Sequence, residues 1–77
     1  MNIEKIKYFV HLVEKERTGS AKNAAKKVGV SERMIFHYVK LLKTQLNAPI
    51  NYNREKQTFV FYEEGKLIWT WIKENNS

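Results

Sequence analysis

Lysine and arginine side chains are concentrated in one stretch of this sequence, residues 17 to 46. Seven of them stand there against a single acid, Glu32, so the stretch carries a formal charge of +6, equal to the net charge of the whole 77-residue chain. The flanking segments, 1–16 and 47–77, each hold equal numbers of basic and acidic residues. Cationic groups gathered in one segment attract phosphates, so the chemistry they indicate is nucleic-acid binding.

Few residues of this chain could support catalysis or metal binding. The chain has no cysteine and two histidines, His11 and His37, which excludes thiolate chemistry and leaves too few ligands for a zinc centre without carboxylates. Glu63 and Glu64 are adjacent, and neighbours on a strand point to opposite faces, so they do not form a catalytic pair. The glycines stand too far apart for a nucleotide-binding loop. We therefore expect no enzymatic activity, no metal and no cofactor.

Three helices are predicted in the first part of the chain, each preceded by a side chain that can cap its N-terminus. The expected helices run from caps at Asn2, Ser20 and Ser31 to about residues 16, 28 and 46. Gly29 suits the left-handed backbone of a sharp turn. The second and third helices are therefore expected to form a helix–turn–helix over about residues 20–46.

Strand-forming residues follow the third helix, which Pro49 ends. Residues 50–53 and 58–62 predict two strands of a hairpin, which must pack Phe59 and Phe61 on the helices because a lone hairpin is marginally stable. A last helix is expected over about residues 66–74. The predicted fold is one mainly α domain, residues 1–77, with a small β-hairpin in the order α-α-α-β-β-α.

The third predicted helix has an apolar face and a polar face. Ile35, Val39, Leu42 and Leu46 recur at helical spacing and predict the packed side. The opposite face carries Arg33, His37, Lys40 and Thr44, with Met34 beside them. Such a ridge of charged and hydrogen-bonding groups fits a DNA major groove. The alternative is an ordinary solvated face, which is the usual place for charged residues.

The residues of this segment resemble a known family. The pattern is Ala25-x-x-x-Gly29-Val30-Ser31-x-Arg33-x-Ile35-x-x-x-Val39-x-x-Leu42, followed by Ala48-Pro49-Ile50-x-Tyr52 and a second strand. It resembles the DeoR-like winged helix–turn–helix, the N-terminal DNA-binding unit of many bacterial transcriptional repressors, over about residues 3 to 62. The resemblance implies that the third helix reads the major groove and that the hairpin is a wing on the adjacent backbone.

Two differences from the family limit what the resemblance implies. The family often has threonine at the position of Met34 and arginine at that of His37, so its base preference does not transfer. Its larger members add a C-terminal sensor domain, whereas this chain ends soon after the expected wing, so we expect no small-molecule effector.

The expected DNA contacts divide by chemistry. Arg33 is the candidate for a bidentate contact to guanine, with a phosphate contact as the alternative. Hydroxyls at helix starts and cations along the second helix and at the hairpin tip are expected to hold phosphates, although Ser31 is also explained as a cap alone. The candidate residues are Thr18, Ser20, Lys22, Lys26, Lys27, Ser31, Arg33, Met34, His37, Lys40, Lys43, Thr44, Arg54 and Lys56.

The predicted last helix is apolar around most of its circumference. Its apolar residues span about 200° of a helical wheel, more than one buried face requires. We expect a homodimer formed through Leu67, Ile68, Trp69, Trp71 and Ile72, with support from the first helix, and hence a palindromic or repeated DNA site. The alternative is that both tryptophans cover the core of a monomer.

The function expected is sequence-specific binding of double-stranded DNA by a small bacterial transcriptional regulator. One alternative is an excisionase-like or architectural factor that bends DNA. Another is a winged-helix module that binds proteins through Trp69 and Trp71. There is no apolar run of the roughly 20 residues needed to span a bilayer and no signal-peptide core, so we expect a cytoplasmic protein without a membrane partner.

Overall fold

The computed structural model describes residues 2–67 and 71–73. Its elements are α1 (Ile3–Glu14), α2 (Ala21–Val28), α3 (Glu32–Gln45), β1 (Ile50–Asn53), β2 (Thr58–Phe61), β3 (Gly65–Leu67) and β4 (Trp71–Lys73). The three helices and the first hairpin confirm the coarse prediction, with bounds within two residues of those expected. Among the described helices, none has both the length and the hydropathy needed to cross a membrane.

Side-chain caps begin all three helices, as predicted. The Oδ1 of Asn2 accepts hydrogen bonds from the backbone N–H groups of Glu4 (3.0 Å) and Lys5 (3.3 Å). The Oγ of Ser20 accepts from the N–H of Asn23 at 3.2 Å, and the Oγ of Ser31 accepts from that of Met34 at 3.1 Å. Each cap satisfies a donor that the helix itself leaves unpaired and stabilises the helix by about 1 kcal/mol.

The turn between α2 and α3 depends on the backbone of Gly29. This residue adopts a left-handed conformation with φ of +82°, and its N–H donates to the carbonyl of Ala25 at 2.8 Å. The N–H of Val30 donates to the same carbonyl at 3.0 Å. Both N–H groups of the turn are therefore paired, and the turn fixes the direction in which α3 starts.

The core lies between the three helices and the first hairpin. Its buried side chains are Phe9, Leu12, Val13, Ala24, Ala25, Val28, Ile35, Tyr38, Leu42, Ala48, Ile50 and Phe59. Phe9 of α1 is central, because its ring centroid lies 5.9 Å from those of both Tyr38 and Phe59. Phe59 in turn meets Tyr52 edge-to-face at 5.1 Å. The aromatic contacts thus join α1, α3 and the hairpin in one cluster.

The buried face of α3 differs in part from the predicted one. Ile35 and Leu42 are buried as expected, but Tyr38 is also buried, whereas Val39 is only half-buried. Tyr38 lies three residues after Ile35 and four before Leu42, so the three share one stripe, and Phe9 supplies its aromatic neighbour. Leu12 of α1 is likewise buried in the core, so it adds nothing to the support for a dimer that was expected from the first helix.

A buried pair of threonine hydroxyls joins the α1–α2 loop to β2. The Oγ1 atoms of Thr18 and Thr58 are 2.9 Å apart. The Thr18 hydroxyl donates to the carbonyl of Gly19 at 3.0 Å and accepts from the N–H of Phe59 at 2.9 Å. Because the single hydroxyl hydrogen of Thr18 is directed at Gly19, Thr58 is the donor within the pair, and the Thr58 oxygen also accepts from the N–H of Gly19 at 3.1 Å. The pair leaves no donor unpaired and anchors the hairpin on the helices.

The predicted helix over residues 66–74 is wrong, because strands lie at both of its ends. β3 and β4 pair antiparallel, with Gly65 opposite Lys73 and Leu67 opposite Trp71. Residues 68–70 and 74–77 lie outside the described part. The composition explains the error, since isoleucine, threonine and tryptophan favour strands. An apolar span of about 200° would also give a helix more apolar surface than one buried face requires.

Candidate nucleic-acid interface

One side of α3 is exposed and mainly cationic. Arg33, His37, Lys40 and Thr44 are all exposed, as predicted, and Lys43 and Phe36 lie on the same side. The opposite side, formed by Ile35, Tyr38 and Leu42, is at most 2% exposed because it packs on α1 and the hairpin. The only acidic residue of α3 is Glu32, at its N-terminus, where the helix dipole favours a negative charge. We call the exposed residues Arg33, Phe36, His37, Lys40, Lys43 and Thr44 the α3 face.

α2 carries further exposed cations. Lys22 and Lys26 are exposed, and neither is paired with a carboxylate among the described residues, where the ion pair found is Lys56–Glu16. Lys27 differs, because its ammonium group donates a short hydrogen bond to the carbonyl of Arg17. Lys27 therefore helps to hold the α1–α2 loop and has only its remaining hydrogens for an external anion.

The hairpin tip carries one anchored and one exposed cation. The Nζ of Lys56 lies 2.8 Å from Oε1 of Glu16, and both side chains remain about half exposed. This pair ties the tip to the end of α1 and partly offsets the charge of Lys56. Arg54 is exposed, and it extends the positive charge from the helices to the hairpin.

The structure removes Thr18 from the predicted contacts. Its side chain is 0% exposed, and its hydroxyl is used in the pair with Thr58, so it cannot reach a phosphate. Sequence position near a helix start did not reveal that β2 covers this residue.

Ser20 and Ser31 keep part of their predicted capacity. Both oxygens accept a backbone N–H as helix caps. Each hydroxyl hydrogen is still available for a phosphate oxygen. Thr44 differs, because its hydroxyl donates to the carbonyl of Lys40 at 2.8 Å and can therefore only accept.

Two apolar side chains near the α3 face have different surroundings. Met34 is 38% exposed and lines a groove with Asn2 and Lys5 of α1, so it lies at the edge of the predicted ridge. Phe36 is 57% exposed and was not among the predicted contacts. The signal was present in the sequence, since Phe36 follows Arg33 by three residues and precedes Lys40 by four, which places all three on one side of a helix.

The predicted dimer surface is described only in part. Leu67 of β3 is half-buried and packs against the core, so some of its apolar surface is used within the chain. Ile68 and Trp69 lie outside the described residues, and for Trp71 and Ile72 the strand pairing alone is described. On α1, which is expected to support the dimer, Tyr8 is 45% exposed.

Residues 2–67 and 71–73 contain no group of three or more side chains that could hold a metal ion. No family model, curated protein or solved structure matches this chain. The candidate interface is thus defined by the exposure, charge and packing of the residues themselves.

Proposed function

We propose that this protein binds double-stranded DNA as a small transcriptional regulator, with α3 in the major groove. The observation that carries the proposal is the α3 face, on which Arg33, Lys40 and Lys43 are exposed together while the other side of the helix is packed in the core. Because the other side of α3 is packed, the cations are held on a rigid helix and point away from the protein.

The dimensions of α3 agree with this placement. A helix with its side chains is about 10–12 Å across, which matches the roughly 12 Å width of the major groove. Arg33 lies in the first turn of α3, the part of a recognition helix that reaches base edges, and His37 follows one turn later. Lys40 and Lys43 are further along and reach the flanking phosphates.

The elements around α3 supply contacts to the DNA backbone. Lys22 and Lys26 of α2 bind phosphates on one side of the groove, and the β1–β2 hairpin acts as a wing that brings Arg54 to the other. Because the wing is anchored through the Thr18–Thr58 pair, its position relative to α3 is fixed before binding. The strength of these phosphate contacts does not depend on the DNA sequence and falls strongly as the salt concentration rises.

The first test is the fluorescence anisotropy of a labelled random-sequence duplex titrated with the protein at several salt concentrations. We expect micromolar binding. The logarithm of the association constant should fall linearly with the logarithm of the salt concentration, with a slope of about −0.9 for each phosphate contacted. Lys26→Gln is expected to lower this slope by about 1. Lys7→Gln removes an exposed lysine from the side of α1 opposite Phe9 and is the matched control, with an unchanged slope.

The absence of binding at low salt would overturn the proposal and direct attention to a protein partner. Where binding is found, selection of a preferred duplex from random sequence tests for specificity. A large change of DNA bend angle in the complex, measured by gel mobility of permuted fragments, would indicate an architectural factor instead of a simple regulator.

A further inference from the structure

An exposed aromatic ring lies among the cations of the α3 face. Phe36 is 57% exposed, whereas Tyr38, the other aromatic residue of α3, is 2% exposed. Isolated apolar side chains are ordinary on protein surfaces. Phe36 is distinguished by its position, about 60° around the helix axis from Arg33 and one turn before Lys40. It therefore lies on the side of α3 that is proposed to enter the groove.

The chemistry of the major groove restricts what this ring can contact. The base edges there present hydrogen-bond donors and acceptors, together with one apolar group, the 5-methyl of thymine. A phenyl ring neither donates nor accepts conventional hydrogen bonds, so the thymine methyl is the base-edge group that matches it. Met34 is less well placed, because it lies about 100° around the helix axis from Arg33, toward the groove between α1 and α3.

We propose that Phe36 contacts the 5-methyl group of a thymine and thereby sets the base preference at that position. The inference rests on the proposed function, since it names the base that this helix selects. A protein partner fits the ring less well, because Lys40 and Lys43 lie beside it on the helix and lysine is depleted at protein interfaces. A second copy of the chain would bring the same +6 charge to the contact.

The test replaces each thymine of the selected duplex, one at a time, by deoxyuridine, which removes the methyl group and keeps every hydrogen-bonding group. We expect one such replacement to lower the affinity about fourfold, which is about 0.8 kcal/mol for one buried methyl. In the Phe36→Ala protein the same replacement is expected to have no effect, because the ring that contacts the methyl is absent. Phe36→Leu, which keeps an apolar contact, should retain part of the effect.

Tyr62→Ala is the matched control, since Tyr62 is an aromatic residue of 66% exposure that precedes the exposed Glu63 and Glu64 and belongs neither to the α3 face nor to the expected dimer surface. It should leave the deoxyuridine effect unchanged. Circular dichroism checks the folding of each variant. The deoxyuridine series with wild-type protein tests for the methyl contact even if a variant fails to fold.

Two results would overturn the inference and leave the proposed function intact. One is specific, salt-dependent binding in which no thymine responds to deoxyuridine. The other is an equal response to deoxyuridine in wild type and Phe36→Ala, which would assign the methyl contact to another residue. A protein that binds no DNA at all would overturn both proposals.

Discussion

At the scale of single residues, similar side chains have different roles because their surroundings differ. Thr18 and Thr44 are both threonines near helix ends, yet Thr18 is buried and bonded to β2, whereas Thr44 is exposed and bonded within its own helix. Lys26 and Lys27 are adjacent, yet only Lys27 is held by a backbone carbonyl. Residue type alone therefore does not assign a role; accessibility and existing partners decide which groups can meet an external ligand.

We expect Arg33→Ala to weaken binding to the preferred duplex by about 1–3 kcal/mol and to relax selection at one base pair, because a guanidinium fork pairs with both acceptors of guanine. Arg33→Lys keeps the charge but loses the fork, so it should retain random-duplex binding and lose much of the selectivity. Anisotropy on matched and mismatched duplexes measures both effects. An equal loss on all sequences would make Arg33 a phosphate contact.

We expect Thr18→Val to lower the free energy of unfolding by about 1–3 kcal/mol, because it leaves the N–H of Phe59 and the hydroxyl of Thr58 without their buried partner. Thr44→Val is the control, since it removes an exposed hydroxyl and should change stability by less than about 0.5 kcal/mol. Urea denaturation followed by far-UV circular dichroism, which reports on the three helices, measures the difference. Equal midpoints for the two variants would show that the buried pair contributes little.

At the scale of elements, the angle between α2 and α3 depends on one backbone conformation. An added Cβ at Gly29 would meet only the end of the Lys5 side chain, at 4.0 Å, so space is not the constraint. The constraint is the φ of +82°, which L residues rarely adopt. This turn sets the direction of α3 and hence the direction of its cations.

We expect Gly29→Ala to destabilise the fold by about 1–2 kcal/mol, the cost of a left-handed conformation for an L residue. Gly29→Asn should cost less, because asparagine tolerates this region better. Thermal unfolding of both variants supplies the comparison. Were Ala and Asn to cost the same, contacts of the new side chains would outweigh the backbone conformation.

At the scale of the whole molecule, the uneven charge along the sequence becomes an uneven surface. The +6 charge of residues 17–46 is carried by α2, α3 and the loop before them. β3 and β4 form a two-stranded sheet separate from the β1–β2 hairpin. The cations and the apolar C-terminal segment, which carries both tryptophans, thus lie in different parts of the sequence.

We propose that this apolar segment forms a homodimer, and we expect twice the monomer mass in light scattering at micromolar concentration. A two-fold dimer predicts a palindromic site with half-sites about 10 base pairs apart. Trp69→Ser is expected to give a monomer that still binds random duplex through α3 but prefers single half-sites. Wild-type protein with a monomer mass would contradict the proposal.

The sequence by itself determined the features that depend on neighbours in the chain. These are the caps at Asn2, Ser20 and Ser31, the turn at Gly29 and the first hairpin. The exposure of Arg33, His37, Lys40 and Thr44 is another such feature. All follow from side chains within a few residues of one another. They made the three helices and the α3 face predictable.

The tertiary structure decided the features that depend on residues distant in the chain. Thr18 is buried because Thr58, 40 residues later, covers it, and Tyr38 is inside because Phe9 lies against it. The segment after Gly65 contains two paired strands, since pairing and packing can outweigh a helical reading of a short apolar run. Burial depends on what else the folded chain brings to a residue, and local sequence does not contain that information.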